Sequence, residues 1–205
     1  MPEFPPMTTA NKITILRILL IPFFVVQVLY YERSGEEWHR LAALITFAVA
    51  AICDGVDGYI ARHYHQISEL GKILDPLADK LLLVSGVVLL TLNDEPHLQR
   101  LPLWLGATII SRDLLVLVGL VVIHMVCGKV VIRPRISGKI ATVMQMTVVL
   151  WALLKWERDW LDIWVLGAAL FTGLSGLLYL VDGVRQLSAH PMSSPTSRKS
   201  ADSEN

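Results

Sequence analysis

The chain has 205 residues, 54% of them apolar and only 18% charged, and its 18 basic side chains balance 18 acidic ones. A water-soluble domain carries about 45–50% apolar and about 25% charged residues, so this chain holds more apolar surface than one soluble core hides. The hydrophobicity excludes a disordered body, the balanced charge argues against a nucleic-acid binder, and two lone cysteines, Cys53 and Cys127, exclude a disulfide scaffold. What remains is an all-α, polytopic membrane protein.

In chain order, residues 1–10 contain the Pro-rich MPEFPPM and read as a disordered leader. No basic n-region or small-residue cleavage site precedes the first apolar run, so it does not read as a signal peptide. Six stretches are long and apolar enough to cross a bilayer core of about 30 Å as helices. They lie near 11–31, 41–62, 71–92, 101–127, 138–156 and 160–186, joined by short polar connections, and residues 11–187 read as one domain. Residues 188–205 are polar and read as a disordered tail. Six spans put both termini on one side, where eleven basic residues fall against five in the opposite loops. Basic excess marks the cytosolic face, so both termini are expected there. Trp104, Trp151, Trp156, Trp160 and Trp164 gather toward the other ends, as interfacial anchors do.

The second and third spans carry charges that an apolar helix does not need. Asp54, Asp57, Asp75 and Asp79 lie at or near the expected cytosolic ends. A carboxylate at membrane depth costs about 2.5–3.5 kcal/mol on insertion scales. Asp54, Asp57, Gly58 and Ala61 fall at i, i+3, i+4 and i+7, on one helical face. Gly71, Asp75 and Asp79 share a face of the next helix, and the short connection makes the two helices antiparallel neighbours. Lys80 and Arg62, the cations nearest in sequence, are too few to cancel four acids. Hard oxygen donors suit Mg²⁺, Mn²⁺ or Ca²⁺ rather than zinc. Two such ions would balance four carboxylates and clamp a phosphate undergoing displacement. Arg62 is placed to pair with a phosphate, and Gly58 and Gly71 let a ligand approach the backbone. The bland alternatives are a structural ion-pair cluster or the proton relay of a cation-coupled transporter. The transporter reading is weakened because the acids cluster at one end and do not line a path across the bilayer.

The eight positions read D-x-x-D-G-x-x-A-R-x8-G-x3-D-x3-D over 26 residues, with every spacer intact. This pattern resembles the signature of the CDP-alcohol phosphatidyltransferases. The stretch NKITILRILLIPFF resembles the first span of the members that make phosphatidylglycerophosphate, and six helices match the family fold. The resemblance implies that Asp54, Asp57 and Asp75 ligate two divalent cations, Mg²⁺ or Mn²⁺. Asp79 would join that metal site and act as general base on the acceptor hydroxyl. Asp54, Gly58, Ala61, Arg62 and Gly71 would form the CDP pocket. The implied reaction is attack of an alcohol on the phosphatidyl phosphorus of CDP-diacylglycerol, expelling CMP. The N-D-x-x-D-x-x-x-D motif of membrane prenyltransferases does not fit, because Ala61 stands where its last acid would be and Cys53 replaces its Asn.

The acceptor is read from the later spans. Arg112 lies within the fourth span, while Arg133, Arg135 and Lys139 flank the start of the fifth. An arginine inside a span faces a polar interior as a rule. Arg112, Arg135 and Lys139 are therefore read as an anion site for a phosphorylated acceptor, against the plainer readings of cytosolic charge and of an Arg112–Asp113 pair. SGKIATVMQM resembles the G-K-x-x-T-x-x-Q stretch of the glycerol 3-phosphate-using members, which favours that acceptor. The ISRD segment is closer to eukaryotic-type cardiolipin synthases, which keeps phosphatidylglycerol as the alternative. The expected setting is a bacterial inner membrane with the site facing the cytosol. Of the smaller features, His63 and His65 read as an exposed polar turn, Pro76 as a kink beside Asp75, and Gly167, Gly173 and Gly176 as small residues for helix packing or a homodimer.

Overall fold

The structure, a computed structural model, describes residues 9–63, 69–92, 97–127 and 136–188, with side chains described at 12–54, 74–92, 97–119, 121–122, 125 and 136–185. Six α-helices account for it: α1 Thr9–Ser34, α2 Glu37–His63, α3 Glu69–Leu92, α4 Leu103–Cys127, α5 Ile136–Leu154 and α6 Arg158–Ser188. No strand occurs among the described residues. The all-α expectation and the helix count therefore hold. Residues 9 and 10, read as part of the leader, belong to α1, and Ser188, read as the start of the tail, ends α6; the rest of the leader and tail, and the turn carrying His65, lie outside the described residues.

Among the described residues, three stretches are long and apolar enough to cross a membrane: Lys12–Ser34, Ile136–Leu154 and Arg158–Arg185. The described part of α3 carries three charges, Asp75, Asp79 and Lys80, that interrupt its apolar run.

The helix α1 shows how such a protein is sorted. Its buried stripe is Thr14, Arg17, Ile21, Phe24, Val28 and Tyr31, while Leu16, Leu19, Phe23, Val26 and Tyr30 are exposed. Polar groups are inside and leucines outside, the arrangement of a helix whose outer face meets hydrocarbon. Spacing of three and four residues keeps each set on one face.

The chain clusters into two compact units, one of Met1–Gly106 with Gln145–Val165 and one of Ala107–Met144 with Leu166–Asn205. In the first unit, α1 packs along both α2 and α3, whereas α2 and α3 touch each other only slightly among the described residues. Its core contains Phe24, Phe47, Leu82, Leu83, Leu90 and Leu153, with the Phe24 and Phe47 rings 5.5 Å apart. Gly86 lets Val149 of α5 approach, since a Cβ there would stand 3.0 Å from Val149 Cγ1.

The helix ends of this unit opposite the acids are tied together. Gly35, at φ +70°, ends α1 and donates its N–H to Tyr31 O at 2.7 Å. Positive φ suits glycine because it has no Cβ. The Arg40 side chain donates to Leu153 O at 3.0 Å and to Glu37 at 2.5 Å. Lys155 Nζ donates to Glu37 at 3.4 Å and lies 5.1 Å from the Tyr31 ring centroid. Gln99 donates to Trp156 O at 2.6 Å. Trp151 stacks edge-on against Trp156 with centroids 4.6 Å apart, and its ring lies 6.3 Å from that of Trp164. Trp104, Trp156 and Trp160 are exposed, as membrane-interface anchors are.

Candidate active site

Asp54 and Asp75 meet the rest of the first unit through α1. Asp54 continues the buried stripe of α2 formed by Ala43, Phe47 and Ala50. Asp75 lies one turn before the stripe of Ala78, Leu82 and Leu83 on α3. Arg17 Nη1 donates to Asp54 Oδ1 at 2.7 Å. Thr14 Oγ1 donates to Asp75 Oδ1 at 2.5 Å. Thr14 and Arg17 are three residues apart on α1, so their side chains start about 5–6 Å from each other on one face. Two carboxylates from two helices are thus drawn to one level of a third.

Burial is uneven across the pair. The Arg17 side chain is 0% exposed, whereas that of Asp54 is 42% exposed. The guanidinium belongs to the interior, and the carboxylate it holds opens outward. Removing one partner of a buried ion pair costs about 3–5 kcal/mol, a figure that the exposure of Asp54 reduces. Asp75 and Asp79 are partly buried, and Oδ1 of Asp79 is itself buried. Pro76 lies within α3 beside Asp75, where its missing N–H removes one bond of the helical ladder.

Asp57, Gly58, Ala61 and Arg62 fall in the last turns of α2 and Gly71 in the first turn of α3, but their side-chain placement lies outside the described residues. Among the described residues no three His, Cys, Asp or Glu side chains form a metal-holding group, and Asp57 is not part of that set. The donor chemistry does fit a hard divalent cation: all the acids are carboxylates, and Asp54 stays accessible.

The second unit holds Arg112. Its Nη1 donates to Asp113 Oδ1 at 2.7 Å and its Nη2 to Ser175 Oγ at 2.8 Å. The guanidinium carbon stands 5.6 Å from the centroid of the Tyr179 ring. Gly176 admits its stem, since a Cβ there would stand 3.2 Å from Arg112 Cγ. A Cβ on Gly138 would meet Arg112 Nη2, Ser175 Oγ and the Tyr179 hydroxyl at 3.3–3.6 Å, so polar groups converge on that glycine. Arg112 Nε and Ser137 Oγ are buried with no hydrogen-bond partner among the described residues. Lys139 is exposed one residue beyond Gly138, and Arg133 and Arg135 lie outside the described residues. The Arg112–Asp113 pair that sequence offered as the plain reading is formed, and a buried donor is left over beside it.

Sequence reasoning missed Thr14 and Arg17 as site residues and counted Arg17 only with the cytosolic charges. A usable signal existed. An arginine within an apolar helix, one turn after a threonine, needs acidic company, and the acids of the chain cluster at Asp54–Asp79. Ser175 and Tyr179 carried no such signal, because Ser and Tyr are unremarkable in an apolar helix.

Comparison with known proteins bears on this arrangement. The sequence model for the CDP-alcohol phosphatidyltransferase family matches residues 7–175. The chain is 34% identical over 179 residues to the CDP-diacylglycerol--glycerol-3-phosphate 3-phosphatidyltransferase of Escherichia coli (strain K12), covering 86% of this chain and 91% of that protein. The protein of the same name from Shigella flexneri serotype 5b (strain 8401) matches with the same identity and coverage.

Proposed function

Because the chain belongs to the CDP-alcohol phosphatidyltransferase family, we propose that it moves the phosphatidyl group of CDP-diacylglycerol onto glycerol 3-phosphate, giving phosphatidylglycerophosphate and CMP. The observation that carries this reading is the capture of Asp54 and Asp75 by one helix, at two positions of an intact eight-residue signature. The choice of acceptor is supported by the names of relatives aligned over 91% of their length.

In this reading Asp54, Asp57, Asp75 and Asp79 hold two divalent cations, Mg²⁺ or Mn²⁺. Held there, such ions would supply positive charge to the diphosphate and to the phosphoryl and leaving oxygens as negative charge develops on them. The chain's own groups supply the rest. Asp79 accepts the proton of the attacking hydroxyl, a role that requires hydrogen-bond reach. The new oxygen–phosphorus bond replaces the bond to the CMP oxygen, and CMP leaves with that electron pair. Arg62 pairs with a phosphate of CDP, and Gly58, Ala61 and Gly71 leave room beside the backbone for the nucleotide. Arg112, Arg135 and Lys139 receive the acceptor's phosphate, a role supported by the spare buried donors Arg112 Nε and Ser137 Oγ. The protein works in a bacterial inner membrane with this site toward the cytosol, where the CDP headgroup of the lipid projects and glycerol 3-phosphate is dissolved; Gly167 and Gly176 are packed within the chain by Met144 and Arg112, which leaves the exposed Gly173 as the small residue for a homodimer face.

The test is product identity. Purified protein receives CDP-diacylglycerol with Mg²⁺ and, in parallel, glycerol 3-phosphate, phosphatidylglycerol or inositol phosphate. Phosphatidylglycerophosphate from the first arm alone, lost in EDTA and regained with Mg²⁺ or Mn²⁺, is the expected result. Cardiolipin from the second arm would replace the acceptor assigned here, and full turnover in EDTA would remove the metal reading. Cation flux into liposomes without CMP release would favour a transporter.

A further inference from the structure

We infer that α1 is the positioning element of the metal centre, with Thr14 and Arg17 as the residues that set where Asp54 and Asp75 stand. The inference rests on the reading above that these acids hold divalent cations.

Both acid-bearing helices are packed by the same third helix. Among the described residues, α2 and α3 touch only slightly, while α1 packs along both. Each described acid that reaches α1 does so through a buried polar side chain of that helix. Thr14 is 1% exposed and bonds Asp75. Arg17 is 0% exposed and bonds Asp54. Both bonds go to Oδ1 of the acid, and one oxygen held by the protein fixes the direction in which the other presents itself. Outer-shell partners of metal-binding carboxylates work in this way, and their loss typically costs 10–100-fold in metal affinity.

The chemistry of the two residues differs. Thr14 has one rotatable donor and a methyl that packs. Arg17 adds a permanent positive charge 2.7 Å from an Asp54 oxygen, which offsets part of the repulsion among the crowded carboxylates. It reaches Asp54 from 37 residues away, a distance in sequence that a loop-local pairing does not need. An arginine placed only to be paired could sit at a helix end in contact with water. This one is wholly inside, on the same stripe as Ile21 and Phe24.

The experiment measures Mn²⁺ binding by electron paramagnetic resonance on the full chain in detergent, without lipid substrate. Thr14→Val and Arg17→Gln are expected to loosen Mn²⁺ about 10–100-fold. Thr14→Ser keeps the hydroxyl and is expected to restore wild-type affinity. Arg17→Lys keeps the charge without the planar fork and falls between. At saturating Mn²⁺, kcat drops in Thr14→Val while the KM for the acceptor stays put. Folded Thr14→Val and Arg17→Gln proteins that bind Mn²⁺ as tightly as wild type would overturn the inference. So would a Thr14→Ser protein as weak as Thr14→Val. If Arg17→Gln does not fold, the Thr14 pair decides alone. Asp54→Asn is the control for the underlying reading: wild-type affinity in that variant, or no Mn²⁺ binding by the wild type, removes the metal assignment itself.

Discussion

Arg17 is the largest wholly buried side chain in the described protein, and it sits in a helix otherwise built to face hydrocarbon. It donates to Asp54, as Thr14 on the same stripe donates to Asp75. At this scale the acids themselves were readable from sequence, because spacing puts each set on one helical face. Their holders were not, because Thr14 and Arg17 lie 61 and 37 residues from their partners. Periodicity speaks of faces and is silent about which helix a face meets. Asp79 carries the sharpest single-residue expectation. Asp79→Asn keeps shape and removes the proton acceptor, so CMP release should fall by at least about 10²-fold while CDP binding survives. Parallel assays of CMP release and of CDP binding check it, and turnover at the wild-type rate would take the base role from Asp79.

Helix boundaries show where hydropathy and backbone chemistry part company. The apolar window of the first span closes near residue 31, yet α1 runs to Ser34 and stops at Gly35. The fifth window extends to residue 156, yet α5 stops at Leu154 because Lys155 turns left-handed at φ 55°. Caps end helices, whereas hydropathy only marks what they bury. Gly35→Ala forces a Cβ into a left-handed residue and to 2.9 Å from the His97 ring. It should destabilise the protein by about 1–2 kcal/mol from backbone alone, seen as a lower Tm in detergent. The tie between Glu37 and Lys155 makes stability depend on pH. Arg40 first, then Tyr31 and Lys155, holds the Glu37 carboxyl below its ordinary 4.5. Tyr31 first, then Glu37, raises the Lys155 ammonium above its ordinary 10.5. A lowered carboxylate gives stability that is present above 4.5 and lost as pH falls through the folded value. A raised ammonium gives stability that is present below 10.5 and lost as pH climbs through the folded value. Tm should therefore be level between these limits and fall outside them, and Lys155→Met should flatten the alkaline decline. An alkaline decline of wild-type size in Lys155→Met would assign it to other groups.

For the molecule as a whole, composition was enough to place the chain in a membrane as a set of helices, and a 26-residue signature was enough to name its chemistry. Its division into two units was not legible, because both are made from the same apolar helices and α4, α5 and α6 each pass between them. Orientation has its own test. With eleven basic residues on one side against five on the other, both termini should be cytosolic. Fusions at either terminus should then give fluorescent green protein and inactive periplasmic phosphatase, and active phosphatase at either end would reverse the topology. The first unit also carries a debt to chain order. Gly86 on α3 is packed by Val149, and Arg40 on α2 is anchored to Leu153 O, yet both partners belong to Gln145–Val165, beyond a stretch that joins the other unit. A ribosome adding about 5–20 residues per second takes roughly 2–8 s to pass from Gly106 to Gln145. During that delay Gly86 and Arg40 are already synthesised while Val149 and Leu153, the groups that cover and anchor them in the finished fold, are not.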